Sequence, residues 1–205
     1  MRLSIQRRKI MFTWIFIGLL ACFNGAENTP AKVTDAPETT TPVAAEAGDI
    51  TLSLHKDSKI KWIGSKMLGQ KHDGGFNDIK GSAIVDKDGK VKSVTAKINI
   101  LSLFSDNKNL TKHLLNEDFF LSSKYKTATF ISSKVTDTKV VGTLEMRGVK
   151  KEITFDATTT ASKENVTIKA DLAINRKDWE INYPGKADNL IKDDVDISLD
   201  IAYKK

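Results

Sequence analysis

From residue 49 onward, apolar and polar residues alternate with a period of two along most of the chain. Ile50, Leu52 and Leu54 are separated by Thr51 and Ser53, and Ile60 and Trp62 by Lys61. Val94, Ala96, Ile98 and Ile100 alternate with Thr95, Lys97 and Asn99. Gly142, Leu144 and Met146 follow the same rule, as do Ile153, Phe155 and Ala157, and Val166, Ile168, Ala170, Leu172 and Ile174. The last run is the cleanest: Val195, Ile197, Leu199, Ile201 and Tyr203 face one way, while Asp194, Asp196, Ser198, Asp200 and Ala202 face the other. Successive side chains of a strand point to opposite faces, so each run predicts a strand with one buried face. Turn residues punctuate the runs. Asp86-Lys87-Asp88-Gly89 predicts a hairpin loop with glycine at positive φ. Asp137-Thr138 and Lys163-Glu164-Asn165 separate other strands. One stretch, Asp106 to Phe119, reads as helix, with Leu110, Leu114 and Leu115 on one side and Asp106 or Asn107 as the cap.

This pattern predicts an all-β domain of eight or more antiparallel strands with one short helix. Such strands must hide an apolar face and two sheet edges, and a closed barrel does both. A sandwich is the competing solution. The long, regular alternation and the shortage of helix favour the barrel.

The first 48 residues read differently. Arg2, Arg7, Arg8 and Lys9 precede an apolar run from Ile10 to Ala21, the layout of an export signal. The run is shorter than the roughly 20 apolar residues of a spanning helix. Leu19-Leu20-Ala21-Cys22 resembles the bacterial lipobox, which implies cleavage between Ala21 and Cys22 and a diacylglycerol on the Cys22 sulfur. Phe23 stands where an aspartate would accompany inner-membrane retention, which points to the outer membrane. Residues 23–48 hold Pro30, Pro37 and Pro42, three of the four prolines, with few large apolar side chains. That composition predicts a disordered tether. The expected organisation is a signal peptide over 1–21, lipidated Cys22 and tether over 22–48, and one barrel domain over 49–205. The location expected is the cell envelope, on the periplasmic or outer-membrane face.

Charge and cysteine content narrow the function. Four of the 32 basic residues precede Cys22, where no acidic residue stands, leaving 28 basic against 26 acidic. A near-neutral balance with no basic stripe gives no footprint for nucleic acid. Cys22 is the only cysteine, so no internal disulfide exists and the core must hold the fold. There is no G-x-S-x-G elbow, H-E-x-x-H or P-loop, and His55, His72 and His113 lack metal-ligand spacing. No catalytic residue, metal or cofactor is expected, and Asp194 and Asp196 read as a solvated face.

Three stretches are dense in unusual residues. In Trp62-x-Gly64-x-Lys66-x-x-Gly69-x-x-His72-x-Gly74-x-Phe76, the glycines mark bends or close backbone approach. His72 either pairs with the backbone or donates to a ligand head group. In His113-Leu114-Leu115-Asn116-Glu117-Asp118-Phe119-Phe120, the phenylalanines read as packing the helix onto the barrel, with Asp118 bracing its end. In Asn175-Arg176-Lys177-Asp178-Trp179, Arg176 either closes the barrel mouth in a salt bridge or grips an anionic head group, which its guanidinium suits.

Taken in order, these stretches resemble the YceI-like family of exported bacterial lipid-binding proteins. The resemblance spans residues 49–203. It rests on Ser58-x-Ile60-x-Trp62, Gly69-x-x-His72-x-Gly74-x-Phe76, His113-Leu114 with Asp118-Phe119-Phe120 and Lys124-Tyr125, Ala128-Thr129-Phe130, Gly142-x-Leu144-x-x-x-Gly148-Val149-x-Lys151, Asn175-Arg176-x-Asp178-Trp179-x-Ile181, and Asp194-Val195-x-Ile197. It implies a lipocalin-like eight-stranded barrel around a long apolar cavity for a polyisoprenoid or fatty-acid amide, without catalysis. The chain departs from the family pattern at Lys126, where proline is usual, at Ser102 to Lys112, and at Glu180, where glycine is usual.

The expected cavity wall is Trp62, Phe76, Ile98, Ile100, Phe130, Leu144, Met146, Phe155, Ile174 and Trp179, with His72 and Arg176 at the polar end. The expected partners are a long-chain lipid and, through the Cys22 anchor, a membrane; a homodimer is a candidate assembly. The alternative is a filled barrel serving as a non-catalytic structural or interaction module.

Overall fold

The structure, a computed structural model, describes residues 28–187 and 189–205. The export signal and Cys22 lie outside the described residues. The strands are β1 (Lys32–Asp35), β2 (Ile50–Leu54), β3 (Lys59–Lys66), β4 (Lys71–Phe76), β5 (Ile79–Val85), β6 (Val91–Asn99), β7 (Leu103–Ser105), β8 (Thr127–Val135), β9 (Lys139–Met146), β10 (Val149–Asp156), β11 (Thr158–Ala161), β12 (Asn165–Asn175), β13 (Gly185–Lys186) and β14 (Asn189–Lys204). One α-helix, α1 (Lys108–Leu114), and 3-10 turns at Ile100–Ser102 and Arg176–Trp179 complete the fold.

Hydrogen-bonded neighbours run β10-β9-β8-β6-β5-β2-β14, and β12 pairs with the other side of β14. These eight strands form the wall of the lipocalin-like barrel. Between β10 and β12 lies a seam. Part of the stretch expected to be a disordered tether, residues 29–35, fills it. β1 pairs antiparallel with β10, from Lys32 opposite Thr154 to Asp35 opposite Lys151. Just before it, the Ala31 amide donates to Ala173 O at 2.8 Å and the Ala173 amide donates to Thr29 O at 3.1 Å. The expectation of disorder over 22–48 is therefore corrected for residues 29–35. Two open strand edges offer unpaired backbone groups, and Val33 has polar neighbours on either side, so a short stretch suffices. Lys151 Nζ and Asp35 meet at 2.8 Å, and this bond holds the Asp35 carboxyl below the usual carboxylate range.

The chain then straps the outside of the barrel. Thr40 bonds Thr143 at 2.9 Å, so Thr143 is buried although it points outward. Lys92 meets Glu46 at 2.8 Å and Asp49 at 2.9 Å.

Registry divides the barrel into two ends. Val166 stands opposite Tyr203 at one end of the β12–β14 pair, and Asn175 opposite Asp194 at the other. The first end is packed solid. Leu52, Ala83, Val85 and Val166 have no exposure, and Tyr203 donates its buried hydroxyl to Thr95 O at 3.0 Å. Burial without a charged partner pushes that phenol well above its usual range. At the second end β14 pairs with β3 instead of β2, and β3 continues into β4 and β7. The helix covers this end. It is shorter than the expected 106–119 because the chain turns after Leu115, with Leu121 at a φ of 44°. Asn107 caps it, accepting from the Asn109 and Leu110 amides. At the Asp86–Gly89 hairpin, Gly89 has the expected positive φ, 84°.

Candidate functional site

Inside the second end is a cavity of about 550 Å³. Its walls are built by three groups of elements. β3 and β4 supply Trp62, Ser65, Lys66, His72 and Phe76. The first half of β14 supplies Ile191, Val195 and Ile197, which alternation turns inward. α1 and the turn after it contribute Leu110, His113, Leu114, Phe119 and Phe120. Met146, Ile174 and Arg176 close the far side, where Ile181 and Tyr183 follow.

Gly74 makes room for the Trp62 indole. A Cβ at this position would lie 2.4 Å from the ring and 2.1 Å from Phe104 O, so only glycine lets the ring lie flat against β4. Buried Trp62 Nε1 finds no acceptor among the described residues, whereas Trp179 Nε1 donates to Leu144 O at 3.2 Å.

Six of the twelve expected site residues reach the cavity: Trp62, His72, Phe76, Met146, Ile174 and Arg176. The other six do not. Ile98, Ile100, Phe155 and Trp179 are buried core, and Phe130 and Leu144 pack against it. Phe130 and Phe155 meet ring to ring at 6.3 Å. The physical reason is that alternation reports which face a side chain takes, not how far along the barrel axis it lies. The residues missed, Phe119, Phe120, His113 and Tyr183, come from the helix cover and the segment before β13. Phe119 and Phe120, expected only as packing, line the cavity together with His113 and Tyr183, whose rings meet edge to face at 4.9 Å.

Arg176 is committed to the protein. It is 5 % exposed. Nε donates to Lys192 O at 3.2 Å, Nη1 to Ile181 O at 2.5 Å and Nη2 to Asp193 at 3.1 Å. Burial pulls the guanidinium pKa down and Asp193 opposes that pull. The salt bridge of Arg176 thus runs to Asp193. His72 Nδ1 lies 3.1 Å from the Asp106 carboxylate, and His113 Nε2 lies 2.8 Å from Asp118. Arg147 fastens the rim, donating to Glu117 O at 2.9 Å and to Glu180 O. Among the described residues no three His, Cys, Asp or Glu side chains come together to hold a metal.

The arrangement is a hollow with an apolar lining and polar groups at its opening, a shape that holds one small or elongated molecule. Comparison with known proteins agrees in fold. The chain is 29% identical over 156 residues to a UPF0312 protein of Pseudomonas putida, covering 70% of this chain and 78% of the relative. It is 30% identical over 159 residues to a UPF0312 protein of Pseudomonas fluorescens, with the same coverage. Burkholderia cenocepacia BcnA superposes with a TM-score of 0.60 at 21% identity, over 71% of this chain and 95% of that one. A polyisoprenoid binding domain from Saccharophagus degradans gives 0.61 at 15% identity, over 78% and 99%. The YceI-like domain matches residues 53–203, and the chain belongs to that family.

Proposed function

We propose that the protein is an exported lipoprotein that carries one long-chain apolar lipid, a polyisoprenoid or an acyl chain, in the barrel's hollow end. The observation that supports this most is the 550 Å³ cavity, walled by Trp62, Phe76, Phe120, Met146, Ile174 and Ile197, inside a barrel whose other end is solid. A tail entering it leaves water along its length. Burying about ten methylenes contributes about 8 kcal/mol, which is micromolar-scale affinity before ordering costs. The mechanism is passive sequestration, with no bond made or broken. The polyisoprenoid binding domain of Saccharophagus degradans shares the fold and supports this ligand class. The cavity weighs against the alternative of a filled barrel acting as an interaction module.

Lipidation at Cys22 gives the carrier a membrane address. Because residues 29–35 join the barrel, six residues remain between Cys22 and Thr29. At roughly 3.5 Å per residue they span at most about 25 Å, so the barrel works close to the bilayer rather than at the end of a long leash. Organic extraction of the chain purified from its own host tests the carrier reading. A stoichiometric lipid in the extract is expected; an extract with none, together with no uptake of added isoprenoids or acyl chains, contradicts it.

A further inference from the structure

The ionisable side chains on the cavity wall are Lys66, His72, His113, Arg176, Tyr183 and Lys186. Among the described residues no carboxylate stands with them. Three acids near the wall are already committed: Asp106 to His72, Asp118 to His113, and Asp193 to Arg176 and Lys177. Among the described residues two ammonium groups on the wall have no acid partner. Lys66 shares the inward face of β3 with Trp62, and among the described residues its Nζ meets only the neutral amide of Gln70, at 2.7 Å. Lys186, on the two-residue strand β13, has no acid partner among the described residues. The two flank the opening of β14 from opposite sides, Lys66 paired with Ile191 and Lys186 with Asn189. Both therefore stand at the rim, where an apolar tail lying along Ile191, Val195 and Ile197 would leave its polar end.

From this we infer that the cavity selects amphiphiles with an anionic head, a carboxylate or a phosphate, and that Lys66 and Lys186 are the residues that select it. This rests on the carrier reading and sharpens it. Arg176, expected from sequence to meet the head group, is a positioning residue instead, since its guanidinium nitrogens are held by protein partners, and His72 is anchored through Nδ1 to Asp106. An ammonium is a rotatable point charge, so two lysines accept carboxylate and phosphate alike. At a rim open to solvent their effect weakens as salt is raised.

The test is a binding series at one chain length on the full chain stripped of copurified lipid: hexadecanoate, hexadecyl phosphate, hexadecanol and hexadecanamide. The two anions are expected to bind about ten-fold more tightly than the two neutral chains at low salt, a difference of about 1.4 kcal/mol. The ratio should shrink with ionic strength and fall towards one in a Lys66→Gln/Lys186→Gln double variant. Lys66→Arg and Lys186→Arg, which keep the charge, should retain it. Equal binding of anionic and neutral chains by the unaltered protein overturns the inference while leaving the carrier intact. A preference that persists in the double glutamine variant overturns the assignment to these lysines. Failure to take up any of the four chains overturns the carrier reading itself.

Discussion

The two ends of this barrel are made from the same alternating strands, yet one is solid and the other hollow. At the solid end, Leu52, Val85, Val94 and Val166 are branched aliphatics facing one another across a narrow interior, and Tyr203 fills what remains. At the hollow end the wall is not closed by strands alone. β3 turns away into β4 and β7, and α1 with the Phe119–Phe120 turn roofs the space. Replacing a wall by a roof widens the interior, and large side chains then line the space instead of meeting in its middle. Tight packing is concentrated at one end and open space at the other.

The sharpest way to break this contrast is to truncate one residue at each end. Leu52→Ala removes a side chain with no exposure and should destabilise the protein by about 3 kcal/mol, within the 2–5 kcal/mol of buried leucine truncations. Ile197→Ala, on the cavity wall, already lacks partner atoms on one side and should cost about 1 kcal/mol or less. Denaturant midpoints at unchanged m-value measure both, and equal losses would erase the distinction.

Filling the hollow should do the reverse. Val195→Phe places a ring in the cavity, so uptake of an acyl chain should fall at least about ten-fold, or about 1.4 kcal/mol, with little change in the denaturant midpoint. Calorimetric titration and unfolding of the same sample separate the two.

The seam comes next in size. Val33→Asp puts a charge where β1 packs against the core and should lower stability by about 1–2 kcal/mol. Amide exchange should quicken at Ile153 and Ala173 before it does at Leu52. Uniform exchange would mean that residues 29–35 do not hold the seam.

At the rim the sign reverses. Glu180 sits at φ 60°, ψ 24°, the left-handed cap after the Arg176–Trp179 turn. Glycine adopts this conformation without strain, so Glu180→Gly should stabilise by about 0.5–1 kcal/mol in thermal or denaturant unfolding.

The smallest effect is acid loosening of the strap. The Asp49 carboxyl is held below its ordinary value of 3.8 by the Glu46 amide and then by Lys92. A depressed carboxylate stabilises the folded form above its unfolded pKa, and that stabilisation is lost as pH falls through the lower folded value. NMR line shapes of residues 36–49 should therefore broaden below about pH 4 while those of β12 stay sharp.

The solid end was largely legible in the sequence, because period-two alternation in β2, β6, β12 and β14 assigns inward faces without ambiguity. Gly89 and the Asn107 cap were legible from local chemistry. Height along the axis was not. Phe155 and Ile174 alternate equally well, and only the registry places one in the core and the other on the cavity. The seam strand escaped because proline and threonine dominate its surroundings, and Val33 alone is a weak signal. Glu180 was visible as a departure from the family pattern, and its left-handed backbone gives the physical reason glycine is usual there.

Two tryptophans test the central claim directly, since Trp62 lines the cavity and Trp179 is fully buried outside it. The measurement is fluorescence quenching by a bromine-labelled acyl chain in two single-tryptophan variants, one keeping Trp62 and the other Trp179. The account predicts saturable quenching of Trp62 and an unchanged signal from Trp179. Equal quenching of both, or quenching of neither while the chain binds, would contradict a ligand held in the hollow end of the barrel.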